Sequence, residues 1–184
     1  MLGGGPIPTL TEVLAAFPHA KLTVDLKQAA AIAPLGRVLT ATAAAHRVCV
    51  AGTWDRSLRT LRELVGPQLT IALGWRSLVT TLTRLRAGRG SSQLATLAFA
   101  NVPLRLGRVA IVADDLAARA HDIGVKVIVW TVNEPATMAR LLDAGVDGII
   151  TDRPDLLREV LLGRGQWQPP QDHDSSVTVS ALLS

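Results

Sequence analysis

The chain has 184 residues and a formal net charge of +4 at pH 7, with 48% hydrophobic and only 3% aromatic residues. This length suits one domain with an aliphatic core, and the single cysteine, Cys49, excludes an internal disulfide or a thiolate metal site. The arginines are scattered and few aromatics could stack on bases, so we expect no nucleic-acid partner. No apolar run approaches transmembrane length and residues 1–8 lack a secretion signal, which predicts a cytoplasmic protein if Met1 is the true start.

The amino-terminal part begins with a predicted helix and a predicted strand. Thr9 or Thr11 can cap a helix over residues 10–17, where apolar side chains recur every three or four positions. Residues 22–27, Leu-Thr-Val-Asp-Leu-Lys, then alternate strictly between apolar and polar side chains, which is typical of a strand with one buried face.

Asp25 and Lys27 share the polar face of this strand, and two interpretations of the pair are open. In an ordinary half-exposed strand they would form an ion pair in water, which contributes little. In a parallel barrel surrounded by helices, the apolar face would pack outward and the polar face would point inward near the carboxyl end of the strand.

Further strands and helices alternate through the middle of the chain. Asp55 is expected to cap the helix that follows the second strand, and residues 102–108 are expected to be extended. Strands are predicted at residues 47–54 and 69–73, an apolar segment at residues 94–101 leads into the extended stretch, and helices are predicted at residues 28–45, 58–65, 76–87 and 112–122.

Two more strands are predicted at residues 125–132 and 146–151, joined by a short helix. Asn133 and Pro135 provide a capping side chain and a first-turn proline for that helix, and Asp152 is expected to open the next one. Two buried strands joined in this way must be parallel, with a right-handed crossover. Polar side chains and a tryptophan gather at their carboxyl ends, where α/β proteins bind ligands: Trp130, Thr131, Asn133, Thr151 and Asp152.

This carboxy-terminal stretch resembles the glycerophosphodiester phosphodiesterase family. Residues 130–133 read Trp-Thr-Val-Asn and residues 145–154 read Gly-Val-Asp-Gly-Ile-Ile-Thr-Asp-Arg-Pro, in the family's order and without a gap. The resemblance covers about residues 6–162. It implies an α/β fold, an incomplete TIM (β/α)8 barrel with about six of the eight strand–helix units. We therefore expect one partial barrel domain over residues 1–162 and a disordered tail over residues 163–184.

The family resemblance also implies a chemistry and three site residues. Family members hydrolyse a glycerophosphodiester with water to an alcohol and glycerol 3-phosphate, using a divalent metal and two histidines. By position, Asp25 would be a metal ligand, Lys27 a catalytic cation at the phosphate, and Trp130 a substrate-binding aromatic. The family usually has glutamate where this chain has Asp25. A calcium or magnesium ion needs about six oxygen ligands, so one carboxylate would hold it weakly.

The catalytic histidines of the family belong to two strand–helix units that precede the matched region. The four histidines of this chain lie before strands, on a helix or in the tail, so we expect each to be structural or exposed: His19, His46, His121 and His173. We therefore expect little activity from these 184 residues alone. Open edges at the strands of residues 22–27 and 146–151 would then favour self-association.

Two other classes of function are alternatives to this prediction. A non-catalytic partial barrel could serve as a binding or assembly subunit, binding glycerol phosphate or a partner chain without hydrolysis. Another phosphate-binding barrel enzyme would need a Schiff-base lysine or a glycine-rich loop near its last strands. Lys126 begins its strand and Asp-Arg-Pro follows Thr151, so the sequence argues against that enzyme class.

Overall fold

A computed structural model describes residues 6–86, 99–106, 109–110, 115–167 and 178–180. The helices are α1 (Leu10–Ala16), α2 (Ile32–Ala41), α3 (Asp55–Val65), α4 (Trp75–Arg86), α5 (Leu116–His121), α6 (Pro135–Asp143) and α7 (Pro154–Gly163). The strands are β1 (Lys21–Leu26), β2 (Val48–Gly52), β3 (Thr70–Ile71), β4 (Phe99–Pro103), β5 (Arg105–Leu106), β6 (Val109–Ala110), β7 (Lys126–Trp130), β8 (Gly148–Ile149) and β9 (Thr178–Ser180).

The strands that alternate with helices pair in parallel and in chain order. One sheet has the order β3-β2-β1-β9 and a second has the order β4-β7-β8, while β5 and β6 form a small antiparallel hairpin. A parallel bridge between Ala72 and Phe99 connects β3 to β4, and the Leu73 amide donates to the Phe99 carbonyl at 2.9 Å. This arrangement confirms the predicted α/β class with parallel strands.

Two hydrophobic clusters fill the space between the strands and the helices. The amino-terminal cluster joins β1, β2 and β3 to α1, α2 and α3, and its largest fully buried members are Leu39, Val48, Val50, Leu58, Leu61 and Leu69. The carboxy-terminal cluster joins β4 and β7 to α4, α5 and α6, and its largest fully buried members are Val102, Val125, Val127, Val129, Val132 and Met138. The aliphatic composition therefore builds the core, as predicted.

The start of α1 and the end of α6 show the local sequence features that bound these two helices. Thr9 accepts a hydrogen bond from the Glu12 amide at 3.3 Å and Glu12 accepts one from the Thr9 amide at 2.7 Å, a reciprocal capping box. Gly145, with φ of +82°, follows the carboxyl end of α6, as expected for a residue in the left-handed region. No helix in the described part of the chain combines the length and apolarity needed to cross a bilayer.

Asp55 does not have the capping role that the sequence suggested. It is the first residue of α3, and its Oδ2 accepts a hydrogen bond of 3.3 Å from the Ser77 amide of α4. The carboxylate therefore satisfies an amide at the start of the next helix rather than one in its own first turn. The sequence hides this contact because Asp55 and Ser77 are 22 residues apart, with β3 between them.

The carboxy-terminal tail contains one described strand. Segment β9 pairs in parallel with β1 on the side away from β2, with Lys21 opposite Thr178 and Thr23 opposite Ser180. Residues 168–177 and 181–184 lie outside the described residues, so the disorder predicted for them stays a prediction. The strand itself was not predicted.

Candidate functional site

The carboxyl ends of β7 and β8 lie side by side and form one end of the molecule. The Val132 amide donates to the Ile150 carbonyl at 3.0 Å, just beyond the strands, and the Leu104 amide donates to the Trp130 carbonyl at 2.8 Å. The polar side chains predicted at the two strand ends are therefore brought together. The peptide bond between Trp130 and Thr131 is cis.

Asn133 joins the two strand ends through both atoms of its side-chain amide. Its Oδ1 accepts hydrogen bonds from Thr151 Oγ1 at 3.0 Å and from the Asp152 amide at 2.9 Å, while its Nδ2 donates to Asp152 Oδ2 at 3.0 Å. Thr151 Oγ1 also accepts from the Arg153 amide at 2.9 Å. We call Asn133, Thr151 and Asp152 the strand-end network; it fixes the loop after β7 to the loop after β8.

The predicted capping roles of Asn133 and Asp152 are wrong. The residue preceding α6 is Glu134 and the residue preceding α7 is Arg153, and neither makes a side-chain capping bond. Asn133 instead bonds to the neighbouring strand end. The capping rule considers only nearby residues in the chain, whereas parallel strands place donors and acceptors about twenty residues away at hydrogen-bond distance.

Asp25 and Lys27 form an ion pair at the carboxyl end of β1, with 2.6 Å between Nζ and Oδ2. The Asp25 side chain is 26% exposed and the Lys27 side chain is 57% exposed, so the carboxylate is half-buried and the ammonium group reaches solvent. An ion pair with this exposure contributes at most about 1 kcal/mol to stability. Both interpretations of the pair share this geometry, and in either one Lys27 presents a positive charge at the strand's carboxyl end.

Two tryptophans are exposed at the carboxyl ends of their strands. Trp130, the last residue of β7, is 41% exposed, and Trp54, which lies between β2 and α3, is 64% exposed. Such side chains offer a ligand an apolar ring with one polar N–H group. Of these two residues, only Trp130 was predicted from the sequence to be a site residue. Trp54 directly follows an apolar strand, and this feature would have identified it as well.

A cleft of about 430 Å³ lies beside the strand-end network, between the loop after β4 and helix α6. Thr131 and Asn133 contribute to its lining, and its charged side chains are Arg105, Glu134 and Arg140. A cavity of this volume is within the range that holds small molecules.

The described histidines lie away from these strand ends. His46 precedes β2, and its Nδ1 is 3.0 Å from the Ala43 carbonyl oxygen. The Nε2 of His121 is 2.7 Å from Oδ2 of Asp147, which also accepts the Val127 amide at 2.8 Å. Asp147 immediately precedes β8, so this contact belongs to the amino-terminal side of the strands. His173 is outside the described residues.

The conserved pattern of the Glycerophosphoryl diester phosphodiesterase family matches residues 2–156 of the sequence. The chain belongs to this family. The Mycobacterium tuberculosis protein named "Probable glycerophosphodiester phosphodiesterase 2" is 36% identical over 170 residues, which are 90% of this chain and 64% of that protein. The chain therefore spans less than two thirds of the length of this relative.

Solved structures of glycerophosphodiester phosphodiesterases share the fold. The enzyme from Parabacteroides distasonis superimposes with a TM-score of 0.64 at 19% identity, covering 86% of this chain and 66% of that one. A phosphodiesterase from Oleispira antarctica, solved in complex with the product sn-glycerol-3-phosphate, gives a TM-score of 0.61 at 14% identity, covering 84% of this chain and 61% of that one. At these identities the likeness concerns the fold.

The divalent metal expected for a glycerophosphodiester phosphodiesterase does not fit the described residues by themselves. Among them, no group of three or more histidine, cysteine, aspartate or glutamate side chains could hold a metal ion. Asp25 offers one carboxylate, and the Lys27 ammonium group already lies 2.6 Å from it. Since calcium and magnesium require about six oxygen ligands, the described chain supplies at most part of such a site.

Proposed function

We propose that this chain is the carboxy-terminal part of a glycerophosphodiester phosphodiesterase barrel, with about six of the eight strand–helix units. Its reaction class is hydrolysis of a glycerophosphodiester to an alcohol and glycerol 3-phosphate. The family match over residues 2–156 carries the proposal. The sn-glycerol-3-phosphate bound by the Oleispira relative supports the choice of substrate class.

Lys27 is proposed to bind the phosphate oxygens. Its ammonium group is exposed at the carboxyl end of β1, where barrel enzymes bind their substrates. The ion pair with Asp25 restricts the lysine's rotamers, so less conformational entropy is lost when a phosphate binds. The ammonium group has three N–H donors, so it can donate to a phosphate oxygen while it stays paired with Asp25.

Trp130 and Asp25 complete the proposed set of site residues. Trp130 presents an exposed aromatic surface at the end of β7, suited to shape the substrate pocket. Asp25 is proposed as one ligand of a calcium or magnesium ion, which would be weakly held because the described residues offer no full ligand set.

We propose that the 184 residues alone have little or no hydrolytic activity. The described histidines lie away from the carboxyl ends of the strands, and no described cluster of acidic and histidine side chains could activate water with a metal. The same observations favour the second candidate, a non-catalytic binding or assembly subunit. A cytoplasmic location and the absence of a nucleic-acid partner stay predictions.

Two measurements distinguish a non-catalytic binding subunit from an active hydrolase. They are binding of sn-glycerol 3-phosphate and turnover of glycerophosphocholine. The purified 184-residue chain is assayed for both, with calcium or magnesium added, alongside Lys27→Met and the matched control Lys126→Met. Lys126 is exposed at the opposite end of β7, so only the Lys27 variant should lose affinity. A charge-assisted hydrogen bond contributes about 1.5–3 kcal/mol, which predicts a roughly tenfold to hundredfold weaker Kd.

Each outcome has a defined meaning. Saturable binding that depends on Lys27, with no turnover, supports the proposal. Equal affinities in the two lysine variants, or no binding, would remove Lys27 from the phosphate site. Metal-dependent turnover that Asp25→Ala abolishes would overturn the expected inactivity and show that these residues suffice for hydrolysis.

A further inference from the structure

The outward sides of α3 and α4 carry a set of exposed arginines. Exposed residues recur every three or four positions along both helices, so each helix turns one stripe of side chains to solvent. The stripe of α3 includes Arg56 and Arg59, and the stripe of α4 includes Arg76 and Arg84. The starts of the two helices are in contact through the hydrogen bond described above. We call these four arginines the arginine face.

The charges of the arginine face are not neutralised by acidic neighbours. Glu63 is the only exposed acidic residue of α3 and α4. Within the described part of the chain, none of the four arginines forms an ion pair or a side-chain hydrogen bond. By contrast, three arginines in or next to α5 and α7 each form an ion pair with an aspartate: Arg119, Arg153 and Arg164. The exposed sides of α3 and α4 therefore carry a net positive charge.

Exposed apolar side chains lie beside these charges. Trp54 immediately precedes α3 and is 64% exposed, and Val79 belongs to the exposed stripe of α4 and is 43% exposed. Cationic side chains attract anionic lipid headgroups, and a tryptophan ring is stable at the boundary between headgroups and acyl chains. Binding of nucleic acid would need several aromatics that stack on bases, and aromatic residues are only 3% of this chain. A membrane surface suits this combination better.

We infer that the arginine face, together with Trp54, is a docking surface for a membrane that contains anionic phospholipids. Because α3 follows β2 and α4 follows β3, both helices begin at the end of the molecule where the strands have their carboxyl ends. Trp54, Arg56 and Arg76 are therefore at the same end as the proposed phosphate site. Docking would hold that site close to the lipid surface, and this orientation alone rests on the proposed function. Membrane binding itself needs neither Lys27 nor hydrolysis.

Sedimentation of the 184-residue chain with lipid vesicles tests this inference. The vesicles consist of phosphatidylcholine alone or of phosphatidylcholine mixed with anionic phosphatidylglycerol. Arg59→Gln removes one charge from the arginine face, and the matched control Arg140→Gln removes one charge from an exposed position on α6. One arginine near an anionic surface contributes about fivefold to affinity, so Arg59→Gln should bind the mixed vesicles about fivefold more weakly. The double variant Arg59→Gln/Arg84→Gln should lose roughly thirtyfold, and Arg140→Gln should bind like the parent.

Trp54→Ala tests the apolar part of the surface. This variant should also bind the mixed vesicles more weakly, and its loss should persist at raised salt, because salt screens charges and not apolar contacts. An unchanged affinity would remove Trp54 from the docking surface.

Three results would overturn the inference. The first is equal binding to the two kinds of vesicle, or binding to neither. The second is an equal loss in Arg59→Gln and Arg140→Gln, which would show that net charge and not this surface attracts the lipid. The third is tighter binding to a single-stranded oligonucleotide than to the vesicles, weakened by Arg59→Gln, which would assign the surface to nucleic acid. Titration of sn-glycerol 3-phosphate into the arginine variants without vesicles should give the parent's affinity, which separates this test from that of Lys27.

Discussion

At the residue scale, Asn133 makes more side-chain hydrogen bonds than either other member of the strand-end network. Its amide makes three hydrogen bonds to Thr151 and Asp152, which belong to a different strand end. The sequence placed all three residues at the correct end of the molecule but gave Asn133 a capping role. The local pattern of Asn133, Glu134 and Pro135 suits a helix start, and only the pairing of neighbouring strands shows the competing partners.

Asn133→Ala should therefore destabilise the chain. All three hydrogen bonds are lost, but Asn133 and Asp152 are exposed residues, so the expected loss is about 1–2 kcal/mol in the free energy of unfolding. Urea denaturation gives this value, and hydrogen exchange of the Asp152 amide should accelerate in the same variant.

Asn133→Asp is the informative control, because it keeps the acceptor for Thr151 and for the Asp152 amide but replaces the donor to Asp152 Oδ2 with a second carboxylate. At neutral pH it should be no more stable than the alanine variant, since like charges then face each other. An alanine variant as stable as the parent would show that solvent replaces the network without cost.

At the element scale, the positions of the strands were predicted more accurately than their lengths or the segments that they pair with. Alternation and short apolar runs located β1, β2, β3, β4, β7 and β8 in the correct order, since burial of one or both faces leaves a pattern in the sequence. Strands β3 and β8 are only two residues long, shorter than the apolar runs that contain them. The β5–β6 hairpin and β9 depend on pairing with other segments, which periodicity does not record.

The contact between the starts of α3 and α4 gives a sharp prediction at this scale. A Cβ added at Gly74 would lie 2.7 Å from both Cγ and the amide nitrogen of Asp55. A backbone atom cannot move aside cheaply, so Gly74→Ala should push the two helix starts apart and weaken the bond from Ser77 to Asp55. The expected loss is about 1–3 kcal/mol in the free energy of unfolding.

Gly163→Ala is the matched control for this substitution. A Cβ at Gly163, the last residue of α7, meets no atom within 4 Å. Alanine is the better helix former, so this variant should be unchanged or more stable by up to about 1 kcal/mol. Thermal unfolding of Gly74→Ala and Gly163→Ala tests the prediction. Equal unfolding temperatures would mean that the crowding at Gly74 relaxes without cost.

At the scale of the whole molecule, the family resemblance predicted what periodicity could not. The recurring strand–helix pattern indicates parallel pairing, but the expected barrel and the proposed roles of Asp25, Lys27 and Trp130 came from the family resemblance, whose motifs lie at residues 130–133 and 145–154. Neither source indicated that the core forms two clusters. Among the described residues, the contacts between the regions of the amino-terminal and carboxy-terminal clusters include the Ala72–Phe99 bridge and the hydrogen bond from Ser77 to Asp55.

We predict that these two clusters of described residues unfold at separable urea concentrations, because cooperative units follow the density of packed contacts. Leu58 is 1% exposed in the amino-terminal cluster and Met138 is 0% exposed in the carboxy-terminal cluster. Truncation of either to alanine should cost about 2–5 kcal/mol, mainly in its own cluster. Cys49 of β2 lies next to the first cluster and reports on it, since burial raises the pKa of its thiol to about 12, which should slow its alkylation in the folded state. Pulsed alkylation of Cys49 and hydrogen exchange of the β7 amides are measured across a range of urea concentrations. Leu58→Ala should shift mainly the transition seen by alkylation of Cys49. Met138→Ala should shift mainly the transition seen by exchange of the β7 amides. Equal shifts of both probes in both variants would instead identify a single cooperative unit.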